Sequence, residues 1–157
     1  ESDVGLGLRL AWRLSRNVAL EGELNRFPGD LGAPAFSRAR TEGLVGLKAG
    51  RAGERGGVFA TLRIGVVDVS AAPEPFACIE IFPPPLQCHL AAGEKLWAMG
   101  FGAALEVAPG ERAFLRLDIG DQLLKYPGPV LDGDGEARPD GFWRHNLRVT
   151  LGVGYRF

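Results

Sequence analysis

Hydrophobic residues recur at every second position in segment after segment of this chain, and the positions between them hold glycine, alanine and charge. The closing stretch is the clearest case. Leu147, Val149, Leu151, Val153, Tyr155 and Phe157 share one parity, while Asn146, Arg148, Thr150, Gly152, Gly154 and Arg156 share the other. A period of two belongs to the β-strand, whose successive side chains point to opposite faces. Val4 to Leu14 separates as cleanly, with Leu6, Leu8, Leu10 and Trp12 set against Gly5, Gly7, Arg9, Ala11 and Arg13. Five further segments alternate in the same way: Val18 to Phe27, Arg38 to Gly50, Val58 to Val66 with a continuation toward Val69, Trp97 to Val107, and Ala113 to Leu123. Arg38 to Gly50 is the most polar of them, and there Leu44 falls among the charges. Seven strands are predicted, each close to the length of about nine to eleven residues that crosses a bilayer at a tilt.

The connections alternate in length. Ser15 to Asn17, Arg51 to Gly56 and Ala108 to Glu111 are short, whereas Pro28 to Ser37, Ser70 to Lys95 and Tyr126 to Gly141 are long. Tight turns on one rim and long loops on the other fit an antiparallel up-and-down barrel standing in a membrane. No domain boundary fits inside this rhythm, so residues 1–157 are read as a single domain.

Alternation alone does not say which face is inside, because a soluble barrel with the apolar parity inward has the same period. Three features orient it. The charged parity is loaded with glycine and alanine, the aromatic residues cluster at strand ends, and the last strand closes on an aromatic residue. Lipid outside and a polar interior are therefore predicted. Trp12 and Tyr155 fall near the turn rim and Trp97, Phe142 and Trp143 near the loop rim, as two aromatic girdles.

Composition narrows the alternatives. Net charge is −1 over 157 residues with both signs scattered, so no basic stripe points to nucleic acid. No run approaches the roughly 20 apolar residues of a spanning helix. Glu1-Ser2-Asp3 is acidic and precedes no apolar core, so any leader is expected to have been removed already.

The polar parity carries Arg9, Arg13, Glu21, Glu23, Arg38, Arg40, Glu42, Lys48, Arg63, Glu106, Arg116, Asp118, Arg144, Arg148 and Arg156. In a lumen just wide enough for side chains these are expected to pair into a ladder of arginine and carboxylate, with the glycines making room. The excess of bases would favour anions if any ion passed. Cys78 and Cys88, with nine residues between them in one Pro-rich loop, are read as a disulfide and hence an oxidising compartment, with two free thiols as the competing reading. His89 alone beside them does not make a zinc site. Asp132-Gly133-Asp134-Gly135-Glu136 starts like a calcium loop but fails at Ala137 and Trp143, and reads as a solvated acidic turn. No metal and no cofactor are predicted. Ser2, Ser15, Ser37 and Ser70 form no triad grouping, and His145 beside Trp143 reads as an interfacial residue, with Asp121 at a similar height.

Two stretches carry a resemblance: Val149-Thr150-Leu151-Gly152-Val153-Gly154-Tyr155-Arg156-Phe157, and the hairpin from Gly5-Leu6-Gly7-Leu8 through Arg16-Asn17-Val18-Ala19-Leu20-Glu21. With them the chain resembles the small bacterial outer-membrane β-barrel family, the OmpA-like transmembrane domain and its relatives. The resemblance implies an eight-stranded closed form, long loops outside the cell, a periplasmic C-terminus, and recognition of Tyr155 and Phe157 by the barrel-assembly machinery. Counting back from Phe157 places Glu1 outside the cell, so a first strand is expected upstream of it. The implied role is a structural or adhesive anchor in outer-membrane lipid that displays its loops. Two other roles remain open: a narrow anion-preferring channel, and a lipid A-modifying enzyme, since barrels of that kind use a rim histidine with serine or an acid.

Overall fold

A computed structural model describes residues 4–28, 39–53, 55–70, 93–108, 112–127, 130–131, 137–138 and 141–156. Seven strands form one sheet: β1 (Leu6–Arg13), β2 (Val18–Phe27), β3 (Arg40–Ala52), β4 (Gly56–Val69), β5 (Glu94–Val107), β6 (Ala113–Tyr126) and, after a two-residue pair β7 (Val130–Leu131) and β8 (Ala137–Arg138), the closing β9 (Phe142–Tyr155). Every ladder in the sheet is antiparallel and joins sequence neighbours, β9 pairing with β6. The strands thus run up and down in order, curled into a half-barrel with β1 and β9 as its edges.

All seven predicted strands are present. β2 has the predicted bounds, while β5, β6 and β9 begin or end about a turn nearer the loop rim than the alternation suggested. The pair β7–β8 lies inside a connection read as loop from sequence. Local chemistry closes the short turns: the Leu14 and Ser15 amides both donate to the Val18 carbonyl at 3.0 Å, and the Gly53 amide donates to the Gly56 carbonyl at 2.6 Å.

The two parities separate onto opposite faces of the curled sheet. Leu8, Leu62 and Leu151 on the convex face are 67%, 53% and 79% exposed, whereas Arg63 and Glu42 on the concave face are 8% and 0% exposed. Among the described residues, no helix is long and apolar enough to cross a membrane.

Candidate functional site

The concave face holds one connected network of ions. Arg116 on β6 donates Nε to Asp118 Oδ2 at 2.8 Å and Nη2 to Asp118 Oδ1 at 2.9 Å, two residues along the same strand face. Its guanidinium also meets Glu21 of β2 across the interior, with Nη2 to Oε2 at 3.0 Å and a second contact from Nη1 to Oε1. Asp118 further accepts from Arg9 Nη1 of β1 at 2.8 Å and from Arg63 Nη2 of β4 at 2.6 Å. Glu23 accepts from Arg9 Nε at 3.0 Å and Asn25 Nδ2 at 2.7 Å, and pairs with Arg148 of β9. Arg148 Nη1 reaches Glu42 Oε1 of β3 at 2.5 Å, and Lys48 Nζ reaches Glu106 Oε1 of β5 at 2.5 Å. Every strand of the sheet contributes.

The ladder hydrogen bonds leave β1 and β9 unjoined, yet their arginines span the interior to β6, β2 and β3. The network closes through side chains a ring that the backbone leaves open. Buried charges are tolerated only when paired and hydrogen-bonded, and here Glu21, Glu23, Glu42, Glu106 and Asp118 each meet at least one arginine or lysine.

Close approach of backbones makes room for these long side chains. A Cβ on Gly46 would lie 2.8 Å from both Cα and Cγ of Arg63, so the facing residue has to be glycine for the Arg63 stem to cross. Gly102 and Gly120 face each other on β5 and β6 with the same consequence, a Cβ on either falling within 2.9 Å of the other's Cα. Toward the turn rim the interior ends on aromatic rings, with Lys48 Nζ 4.5 Å above Phe59 and the Arg156 guanidinium 5.1 Å from Phe114. The cavity beside Arg63, Asp118, Gln122 and Arg148 measures about 20 Å³, the space of a single water.

Toward the loop rim the interior changes character. Leu44, Val67, Leu96, Ala98 and Leu124 form a buried apolar cluster with Val69 and Tyr126 packed against it. Tyr126 stacks on Phe142 at 5.0 Å between ring centroids. At the same height the convex face turns polar: Arg26, Thr41, Asp68 and Lys95 lie opposite one another across β2 to β5, one row above Leu24, Gly43, Val66 and Trp97. The alternation therefore inverts within single strands. Val67 is inside and Asp68 outside, Leu96 inside and Lys95 outside, Leu124 inside and Lys125 outside.

Of the charges expected in the lumen, Arg9, Glu21, Glu23, Glu42, Lys48, Arg63, Glu106, Arg116, Asp118 and Arg148 come together in the network, with Arg156 at its fringe, 3.5 Å from Glu106. Arg40 stacks 4.2 Å from Phe27. Arg13 and Arg144 have the concave parity but stand exposed at the sheet edges, outside the network. Arg38, Cys78, Cys88, His89, Phe157 and the acidic run 132–136 lie outside the described residues. Trp12, Trp97, Trp143 and Tyr155 stand exposed on the convex face, and Arg112 Nη1 donates to the Tyr155 hydroxyl at 3.2 Å. Phe142 carries the concave parity instead and lies over Tyr126.

Two features had no place in the sequence reading, and a third was placed only by height. The apolar cluster was overlooked, although the inverted pairs Val67-Asp68 and Leu124-Lys125 announce it. Asn25, which fixes Glu23, carries no signal beyond its parity. On the convex face, His145 Nδ1 lies 2.6 Å from Asp121 Oδ2; sequence placed both near one height, and the register, with His145 opposite Leu123, brings them together. Comparison with family models, curated proteins and solved structures finds no match to this chain.

Proposed function

We propose that the chain is a β-barrel anchor of the bacterial outer membrane, closed by eight strands, its lumen plugged by the ion network and its long connections displayed outside the cell. The observation that carries this reading is the inversion at the Val66–Trp97 row. On its turn side the outward face is apolar and most of the ions face in; on its loop side Asp68 and Lys95 face out while Val67 and Leu96 face in, with Glu42 opposite Val67. A sheet wholly in water has no reason to change sides along one strand, whereas a sheet leaving hydrocarbon for water must. The row of change holds Trp97, Lys125 and Trp143 opposite one another, where headgroup-level residues belong. The same reading makes outer-membrane lipid the surrounding solvent, puts the end of β9 on the periplasmic side, and makes the assembly machinery recognise Tyr155 and Phe157.

Leu62→Arg tests it directly, since Leu62 sits near the middle of β4 on the convex face. In lipid vesicles the variant is expected to lose about 2–4 kcal/mol of folding stability, read from urea unfolding by tryptophan fluorescence. Detergent-dependent solubility and heat-modifiable migration are expected alongside. A monodisperse chain in plain buffer, with Leu62→Arg neutral, would overturn the reading. Planar bilayers are expected to show no conductance; a conductance abolished by Arg148→Gln would replace the plugged anchor by an anion channel.

One observation favours a second reading, an enzyme acting on lipid headgroups. Asp121 Oδ2 lies against Nδ1 of His145, so that in the tautomer with the proton on Nδ1 the ring turns Nε2 outward as an acceptor, the orientation of a general base. Mass spectrometry of lipid A from cells expressing the chain or its His145→Ala variant decides between them. An identical lipid profile leaves the anchor alone.

A further inference from the structure

The two edges of the sheet share a direction and a charge. Six antiparallel ladders separate β1 from β9, so the two run parallel to each other, and direct pairing between them would break the alternation that holds everywhere else in the sheet. One further strand, antiparallel to both, satisfies both rows of unpaired backbone groups at once. Neither edge strand carries a carboxylate: β1 brings Arg9 and Arg13, and β9 brings Arg144 and Arg148.

The middle of this gap is already neutralised, because Arg9 and Arg148 reach inward to Glu23, Asp118 and Glu42. Its ends are not. Arg13, opposite Ala19 near the turn rim, and Arg144, opposite Leu124 near the loop rim, are exposed and without an ion pair among the described residues. Arg156, over the Phe114 ring at the turn-rim end, has among the described residues one long ion pair, to Glu106 at 3.5 Å.

We propose that the gap takes a single extended segment of defined chemistry: apolar on its outward face, and on its inward face a carboxylate near each end with small residues between. The acidic ends answer Arg13 and Arg144, and the small centre respects an interior already filled by the network. A second copy of this chain does not fit, since both edges it could offer are basic and would set arginine against arginine. The inference rests on the membrane-barrel reading and adds to it the charge of the closing strand.

Two synthetic peptides of roughly 10–12 residues, a membrane-crossing strand length, test this. Both alternate leucine outward with glycine and alanine inward, and they differ only in having glutamate or lysine at the inward end positions. Each is added while the chain refolds into detergent micelles. The glutamate peptide is expected to enter the heat-modifiable folded species and to bind about tenfold more tightly than the lysine peptide, the scale of two partly exposed ion pairs. In the Arg13→Glu, Arg144→Glu double variant the preference is expected to reverse; both residues lie outside the network, so the variant keeps its fold. Equal binding of the two peptides, binding of neither by a chain that has folded in micelles, or edge-to-edge homodimers on cross-linking would overturn the proposal. A chain that folds in plain buffer and ignores micelles would remove the membrane reading itself, and the proposal with it.

Discussion

The interior of this sheet has two tiers that obey opposite rules. From the turn rim to mid-height it is held by Arg116, Asp118, Glu21 and their partners, charges that are stable only in each other's company. Toward the loop rim Leu44, Val67, Leu96 and Leu124 pack as an apolar cluster, with Glu23 opposite Leu44 and Glu42 opposite Val67 at its margin. The outer surface mirrors the division, apolar beside the ionic tier and charged beside the apolar one. The difference teaches that neither tier is a local accident. Each is the complement of the solvent proposed for its own height: hydrocarbon outside demands polarity inside only where side chains must be put somewhere, and water outside restores the ordinary core.

The comparison can be broken most severely at Arg116. Arg116→Met strips the cation shared by Glu21, Glu106 and Asp118 and leaves buried carboxylates short of a partner, for an expected loss of about 3–5 kcal/mol in urea unfolding from vesicles. Adding Glu21→Gln to that background is expected to cost less than it does in the wild-type chain, and the non-additivity in a double-mutant cycle measures the coupling. A smaller effect is expected in the upper tier. Leu96→Ala opens a cavity beside Val67 and Leu124 and should cost about 2 kcal/mol in the same assay. The smallest effect is predicted outside it. Asp68→Ala, on the exposed row above Val66, should fall within about 0.5 kcal/mol, whereas an apolar position one row lower does not tolerate charge. A large loss at Asp68 would show that the convex face does not change solvent where the inversion places the boundary.

Much of the fold was legible because a period of two is written residue by residue. Val4 to Leu14 and His145 to Phe157 sort into faces with almost no error, and the strands β1 and β9 occupy them. The membership of the ion network was legible for the same reason, since parity alone selects Glu21, Glu23, Arg63 and Arg116. The partners were not. Arg9 and Asp118 are separated by 109 positions and Arg148 and Glu23 by 125, and only the curl of the sheet brings them within reach. The strand extensions at the start of β5 and the end of β6 were missed because Lys95, Leu96, Leu124 and Lys125 invert the pattern that defined the rest of each strand.

What the chain's order of residues settled on its own is the strand content, the up-and-down rhythm and the sorting of grease from charge, because alternation is a local property that each strand carries independently. What needed the folded molecule is the pairing of each ion, the apolar cluster and the basic edges of the gap, because each of these depends on curvature and register, which join residues that no sequence window contains together.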